Sequence, residues 1–309
     1  MFVGHGAIAF AAVGLAALAS GMDRQRAIAI ALLAGLFATA PDVDMIYALS
    51  GLVDGTLSAP RSLVTSFWAA STVVHRSVTH SVLVALPATL VFATFGRTTR
   101  QTLLSAATGL AIVAMAARLD GAIAALVAAA FIASGAAIGL AAVRANVPQG
   151  HVAGAALVGL VTHPFGDVLT GQPPQLLYPL PAPILEGRVL LSSDPTVHLL
   201  GAFALEIAAL WLAALTVARF RDARLRSHVR PRAVLGAAYG TAILVLPAPT
   251  VDASYHFVFS VLAMGLVGVA PIRRRIPRPT TALITGLAGV TVAVTAYAIA
   301  YLTIGIAPL

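Results

Sequence analysis

The chain carries an uninterrupted apolar stretch at residues 121–143, with the sequence GAIAALVAAAFIASGAAIGLAAV. This stretch contains no charged side chain, and a helix needs about 20 apolar residues to cross the hydrocarbon core of a bilayer. Similar stretches recur along the 309 residues, of which 59% are hydrophobic and only 10% charged. Soluble domains have about 25% charged residues. The composition therefore predicts an all-α fold, a polytopic integral membrane bundle of about ten transmembrane helices.

The apolar stretches also place the predicted spans. Residues 42–80 are too polar for a clear span, although 62–74 fit an interfacial or re-entrant helix. Residues 167–197 are rich in proline and glycine and are predicted to form an ordered loop. The ten predicted spans lie near residues 5–21, 27–41, 81–96, 102–117, 121–143, 149–166, 198–218, 233–248, 255–270 and 281–306.

The distribution of basic residues predicts the orientation. All 19 basic residues are arginine, and 15 of the 19 fall in cytoplasmic loops if the N-terminus lies outside the cell. This asymmetry follows the positive-inside rule and explains the net charge of +8 without a nucleic-acid partner. We therefore expect a multi-pass protein of the cell membrane with an extracytoplasmic N-terminus. The absence of cysteine excludes disulfides and thiolate metal sites.

Four segments that are far apart in the sequence bring imidazoles and carboxylates to the same predicted outer face. They are the start of the first span, the end of the second, the segment before the third and the end of the sixth. Ionisable groups near a bilayer are costly, which favours a functional role for them. The candidate residues are His5, Asp42, Asp44, His75, His80, His163 and Asp167.

The spacing of these residues favours metal chemistry. His163 and Asp167 are four residues apart and share one helix face, and imidazole with carboxylate suits Zn²⁺, Mn²⁺ or Fe²⁺. His75 and His80 are five residues apart, which predicts different roles for the two. Arg76 between them is suited either to clamp an anionic oxygen, especially of phosphate, or to anchor the chain at the membrane surface.

At these residues the chain resembles the YdjM-like family of integral membrane proteins, some of which are under LexA control. The resemblance covers roughly residues 1–195 and implies a membrane-bound, metal-dependent hydrolase, without naming a substrate. Pro164 departs from the apolar residue expected after the motif histidine. The segments that carry the resemblance are His5, PDVD at 41–44, HRSVTHS at 75–81, VTHPFGDVLT at 161–170 and the proline-rich stretch 172–179.

The first functional hypothesis is a hydrolase that acts at the outer membrane surface on a phosphoester or a lipid head group. It requires one or two divalent ions, with zinc favoured over manganese, iron and magnesium. A bound ion would activate water and polarise the substrate. The expected metal ligands are His5, Asp42, His80, His163 and Asp167, and the expected catalytic residues are Asp44, His75 and Arg76.

Two alternatives use the same residues. One is an ion or metal transporter, and the other is a non-catalytic membrane protein with a structural metal site. In each case the lipid bilayer is the expected partner, and the oligomeric state stays open. Residues 1–197 are predicted to form the hydrolase-like membrane core, and residues 198–309 to add transmembrane helices of unassigned role.

Overall fold

The computed structural model of the protein describes residues 3–49, 51, 63, 66, 67, 76–270 and 277–305. All regular elements within these ranges are helices and none is a strand, which confirms the all-α prediction. His75 and most of the segment 62–74 lie outside the described residues. The chain divides into two compact units, residues 1–189 and residues 190–309.

Among its described residues, the first unit contains six α-helices. A 3-10 helix at Ala40–Leu49 directly continues the second of them, and a short 3-10 helix at Val78–His80 precedes the third. The α-helices are α1 (Gly4–Ala19), α2 (Arg24–Thr39), α3 (Val82–Thr94), α4 (Thr99–Asp120), α5 (Ala122–Arg144) and α6 (Gln149–Asp167).

The second unit is built around a buried aromatic cluster. Its helices are α7 (Pro195–Phe220), α8 (Tyr255–Ala263) and α9 (Pro279–Ala300), with 3-10 helices at Leu225–Ser227, Pro231–Leu244 and Met264–Gly268 and a π-helical turn at Tyr301–Gly305. Phe257 and Tyr297 are fully buried, with ring centroids 5.0 Å apart. Tyr239 packs against both rings and donates its hydroxyl hydrogen bond to Phe257 O or Ser260 Oγ.

The helices agree with the predicted apolar stretches. A helical segment lies at each of the ten predicted positions, and five are long and apolar enough to cross a membrane. Three further apolar helices are shorter, at Gly4–Ala19, Val82–Thr94 and Tyr255–Gly268. The five long segments are Arg24–Ile46, Thr99–Asp120, Ala122–Arg144, Pro195–Phe220 and Pro279–Ile304.

Glycines allow the helices that carry the polar residues to pack closely. A Cβ atom on Gly159 of α6 would lie 2.7 Å from both Ala34 O and Ala38 N of α2. A Cβ atom on Gly35 of α2 would lie 3.2 Å from Gly6 O of α1. Small residues at such contacts let helix backbones approach, as is common in membrane bundles. The ends of α1, α2 and α6 are thereby held together.

Candidate metal centre

Five polar side chains from separate segments meet in the first unit. His5 lies in the first turn of α1, and Asp42 lies in the 3-10 helix that continues α2. His80 ends the short 3-10 helix before α3, whereas His163 and Asp167 lie in the last turns of α6. The structure therefore brings together the five residues that were predicted as metal ligands.

The donor atoms of four of these residues, all except His80, are close enough to share one ion. One nitrogen or oxygen atom each from His5, Asp42, His163 and Asp167 lies within 4.8 Å of the other three. The separations are 3.7 Å for His163 Nε2–Asp42 Oδ1, 3.8 Å for His163 Nε2–Asp167 Oδ2 and 3.3 Å for His5 Nε2–Asp167 Oδ1. Two ligands at about 2.0–2.1 Å from a tetrahedral ion are about 3.3–3.4 Å apart, so these separations suit a shared ion.

The contacts of His163 fix its tautomer. Its Nδ1 lies 2.6 Å from Ala38 O at the end of α2. A carbonyl oxygen only accepts hydrogen bonds, so Nδ1 carries the hydrogen and donates it. In the neutral ring, Nε2 then presents a lone pair to the other ligand-type atoms. Metal-binding histidines commonly donate their second ring N–H to a carbonyl or carboxylate in this way.

His80 is held by a relay that leads to Asp44. Thr79 Oγ1 donates to Asp44 Oδ2 over 3.1 Å and lies 2.9 Å from His80 Nδ1. Because the hydroxyl hydrogen is used on Asp44, His80 Nδ1 donates to Thr79 Oγ1. Asp44 Oδ2 is itself 3.5 Å from His80 Nδ1. This arrangement turns His80 Nε2 towards the cluster, 3.0 Å from Asp167 Oδ2 and 2.8 Å from His163 Nε2.

The two tautomers create an electrostatic conflict that a cation resolves. If both imidazoles are neutral, the Nε2 lone pairs of His80 and His163 face each other across 2.8 Å. Like partial charges repel at this distance in a buried site, so the conflict is removed by a proton on one of the two nitrogens or by a metal ion with the nitrogens slightly farther apart. A positive charge near the two Nε2 atoms of His80 and His163 therefore stabilises their arrangement.

The burial and charge of the cluster also fit a divalent ion. His5, His80, His163 and Asp167 are each no more than 3% exposed, whereas the Asp42 side chain is 18% exposed. The carboxylates of Asp42, Asp44 and Asp167 face one buried guanidinium, that of Arg76, and buried charge is costly unless it is compensated. His5 Nε2 lies 3.3 Å from Asp167 Oδ1. Imidazole nitrogens beside several carboxylates form a donor set that suits a metal ion.

Asp42 and Asp44 have different environments because the segment that carries them is a 3-10 helix. Successive residues of a 3-10 helix are turned by about 120°, so two residues two positions apart point in different directions. Asp42 faces His163, and Asp44 faces Thr79, His80 and the backbone N–H of Arg76, which lies 3.4 Å from Asp44 Oδ2. The pair therefore cannot act as one two-pronged ligand.

Arg76 is committed to contacts within the protein. Its Nη2 lies 3.2 Å from Asp167 Oδ1, and its Nη1 donates to the carbonyl oxygens of Asp167 (3.0 Å), Thr170 and Gln172 (2.7 Å). The backbone of Arg76 has a φ of 72°, a left-handed conformation that is rare for residues with a Cβ atom. Burial lowers the pKa of the guanidinium from its ordinary value, and the charge of Asp167 opposes this shift. The contacts hold together the end of α6 and the loop that follows it.

Two glycines make room for these contacts. A Cβ atom on Gly166 would lie 2.6 Å from His5 Nδ1, and one on Gly171 would lie 3.1 Å from Arg76 Nη1. Gly171 also has a φ of 65°, which glycine adopts without strain. Neither position can carry a larger residue without displacing a side chain of the cluster.

Several residues of this site were not predicted. Thr79, the Ala38 carbonyl and Gly166 each orient or accommodate a histidine, yet none of them has ligand chemistry of its own. The signal for Thr79 is its position next to His80 in the segment 75–81. His75, which was expected to be catalytic, lies outside the described residues, so its predicted role stays a prediction.

Comparison with known proteins identifies the family. A model of the YdjM inner membrane protein family matches residues 1–245. The match extends about 50 residues beyond the resemblance described above, which ends near residue 195. Searches of curated proteins and of solved structures give no significant match. Since the family match covers most of the chain, including every residue of the candidate centre, the protein belongs to the YdjM inner membrane protein family.

Proposed function

We propose that this protein is a membrane-bound, metal-dependent hydrolase with about ten transmembrane helices. The observation that carries the proposal is the group of His5, Asp42, His163 and Asp167, whose ligand-type atoms all lie within 4.8 Å of one another. A divalent ion would accept lone pairs from these donors and offset the negative charge of the carboxylates. The proposed ligands are drawn from His5, Asp42, His80, His163 and Asp167, with zinc favoured because it suits imidazole and carboxylate in a compact site.

A catalytic ion would leave two of the five candidate ligands uncoordinated, and one of these two could transfer a proton. A tetrahedral zinc ion uses three protein ligands and one open position when it is catalytic, and it then lowers the pKa of bound water to about 7. Asp42 is the most exposed of the five candidates, so it is the one best placed to meet a substrate and accept a proton. His80 and His163 are held by the hydrogen bonds described above, which suits fixed ligands.

The other predicted catalytic residues receive different proposed roles. Asp44 orients His80 through Thr79 and does not face the cluster directly. Arg76 positions the Asp167 carboxylate, since its guanidinium already contacts Asp167, Thr170 and Gln172. We propose this role for Arg76 in place of the expected clamp for a substrate anion. His75 is kept as a candidate for proton transfer on the basis of its place in the 75–81 motif.

We further propose that the substrate is a phosphoester or a lipid head group at the extracytoplasmic face. The asymmetric distribution of arginines supports this orientation, through the positive-inside rule. A membrane-embedded hydrolase meets lipids at high local concentration, which supports the substrate class. Residues 1–197 are proposed as the hydrolase core.

The deep burial of four of the five ligands favours one alternative, a closed structural metal site. A structural zinc site has four protein ligands and no open position, and its ion stabilises the fold. His5, His80, His163 and Asp167 could provide that closed set, with Asp42 outside it. This alternative predicts metal binding without hydrolysis.

Metal analysis of the purified protein tests the proposal. We expect the wild-type protein to bind about one metal ion or more per chain. In Asp167→Asn the amount of bound metal should fall at least about tenfold, because the amide keeps the shape of the side chain but is a weaker ligand. His256→Ala is the matched control, because His256 lies in the second unit, where its Nε2 lies 3.1 Å from the Pro247 carbonyl oxygen. This control should retain its metal.

The outcomes separate the candidate functions. The proposed metal centre is contradicted if Asp167→Asn keeps full metal occupancy. It is also contradicted if the wild-type protein binds no metal after loading with Zn²⁺ or Mn²⁺. If metal is bound and a screen of phosphoesters and phospholipids gives turnover that is lost in Asp167→Asn, the hydrolase stands. Metal binding with no turnover of any of these substrates favours the structural site.

A further inference from the structure

The loop that follows α6 exposes an unbroken apolar segment. From Pro179 to Ile184 the sequence is Pro-Leu-Pro-Ala-Pro-Ile, and all six residues are exposed. Leu180 and Ile184 have 56% and 59% of their surface accessible. Single exposed apolar residues are ordinary, whereas a contiguous apolar run in an irregular loop indicates an interaction surface.

The backbone of this segment exposes few unpaired N–H groups, so its transfer from water to a lipid environment costs little free energy. Prolines at 179, 181 and 183 have no N–H group to desolvate. The N–H groups of Leu180 and Ala182 donate within the loop, to Leu177 O and Leu180 O, each over 2.8 Å. Unpaired peptide groups are the main cost of moving irregular backbone out of water, and five of the six positions have no unpaired N–H.

The charged residues that follow the segment limit how deep it can go. Glu186 and Arg188 come two and four residues after Ile184. Charged side chains and non-helical backbone do not lie exposed in the hydrocarbon core of a bilayer. An apolar run next to both signs of charge suits the head-group region instead, where phosphates and cationic head groups supply opposite charges.

Hydrogen bonds connect this loop to the metal centre. Ser81 Oγ lies 2.7 Å from Tyr178 O and 3.3 Å from Leu176 O, and can donate to either, and Val82 N donates to Leu176 O over 2.9 Å. Gln175 N donates to Arg76 O over 3.0 Å. Ser81 directly follows His80 in the chain. The depth of the loop in the bilayer therefore fixes the depth of His80.

We infer that residues 179–184 insert into the head-group region of the lipid bilayer and hold the metal centre at that depth. The partner of this surface is the bilayer itself and not a second copy of the chain. The inference depends on the loop and its hydrogen bonds alone, so it stands apart from the proposed function and requires neither a bound metal nor hydrolysis.

Spin labelling tests the inference, because the chain has no cysteine and single cysteines label selectively. The test variant is Ile184→Cys, and the control is Ser227→Cys, an exposed residue beside Arg224 and Arg226 in the second unit. Each nitroxide-labelled protein is placed in lipid nanodiscs. Its collisions with oxygen, which concentrates in lipid, are compared with its collisions with a water-soluble nickel chelate.

We expect the ratio of oxygen to nickel accessibility to exceed one at position 184 and to fall below one at position 227. A label at Glu186→Cys should give an intermediate ratio. Equal nickel accessibility at 184 and 227 would overturn the inference. Dipolar broadening of the spectrum at position 184 that disappears on dilution with unlabelled protein would also overturn the inference. Such broadening would show that a second copy of the chain covers the segment. Removing metal with a chelator should leave the ratios unchanged.

Discussion

The contacts of Asp44 illustrate how the surroundings of a side chain determine its proposed role at this site. It lies two positions from Asp42 and has the same side chain, yet it contacts His80 through the Thr79 hydroxyl. Carboxylates that orient a histidine ligand raise its basicity and fix its tautomer. The role that we propose for Asp44 is therefore to prepare His80 Nε2 for the ion.

The substitution Asp44→Asn should weaken metal binding without abolishing it. The amide cannot accept as strongly from Thr79, so the His80 tautomer is no longer fixed. Loss of such a partner typically lowers metal affinity about 10–100-fold. Competition with a chromophoric zinc chelator measures the affinity.

The control for this measurement is Asp23→Asn. Asp23 caps α2 by accepting from Arg26 N at 3.0 Å, and its side chain is 59% exposed. Its substitution should leave the zinc affinity unchanged. A wild-type affinity in Asp44→Asn would contradict the relay through Thr79.

The residues of the candidate centre were predictable from the sequence, but the contacts that distinguish their proposed roles were not. His5, Asp42 and His163 are conspicuous because the surrounding sequence is apolar and ionisable groups are costly there. The contact of His163 with Ala38 O joins residues 125 positions apart, and no local pattern carries such information. The position of Arg76 beside Asp167 likewise depends on how α6 packs, so the sequence alone suggested a role in substrate binding.

Among the elements, the last turn of α6 is the one most constrained by its neighbours. It carries His163 and Asp167, and between them Gly166 lies against the ring of His5. The sequence predicted a span end here and placed both ligands on one helix face. It did not predict the glycine contact, because the position of α1 relative to α6 follows from tertiary packing.

Gly166→Ala should displace His5 and weaken both the fold and the metal site. The added Cβ atom would lie 2.6 Å from His5 Nδ1, and overpacking of this kind typically costs about 1–3 kcal/mol. We expect a lower apparent melting temperature in detergent and a lower zinc affinity.

Gly154→Ala on the same helix is the matched control. Apart from its chain neighbours and the backbone of its own helix, no atom of the described residues lies within 4 Å of a Cβ atom built at Gly154. Alanine in an open helical position stabilises by about 0.5–1 kcal/mol relative to glycine. Equal melting temperatures and zinc affinities for the two variants would show that His5 does not depend on Gly166.

For the whole molecule, the centre joins four segments of the first unit. A bound ion would cross-link α1, the 3-10 helix after α2, the segment before α3 and α6. The fold class and the approximate positions of the helices were predictable from the apolar stretches of the sequence alone. The 3-10 geometry of Ala40–Leu49 was not, since long 3-10 helices are uncommon and have no distinct sequence pattern.

Removing the metal should lower the stability of the wild-type protein. An ion at about 1,000 times its dissociation constant stabilises the folded state by about 4 kcal/mol, so a strong chelator at pH 7.5 should lower the melting temperature. The effect should become smaller at acidic pH, because protons compete with the ion for the imidazole and carboxylate donor atoms.

Asp167→Asn serves as the control for the chelator, since it should already lack the ion and show no further loss of stability. An unchanged melting temperature of the wild type with chelator at pH 7.5 would contradict a metal centre that links the four segments. It would favour the alternative in which a proton lies between His80 and His163.

The separation of His5 and Asp167 along the chain has a consequence for biogenesis. The two residues lie 3.3 Å apart in space, but 161 residues separate them along the chain. At about 5–20 residues per second this interval lasts roughly 10–30 s. During that time the early histidine and aspartates have no partner from α6. Loading of the ion would then have to follow the insertion of α6, and a chain that ends before α6 could not retain it.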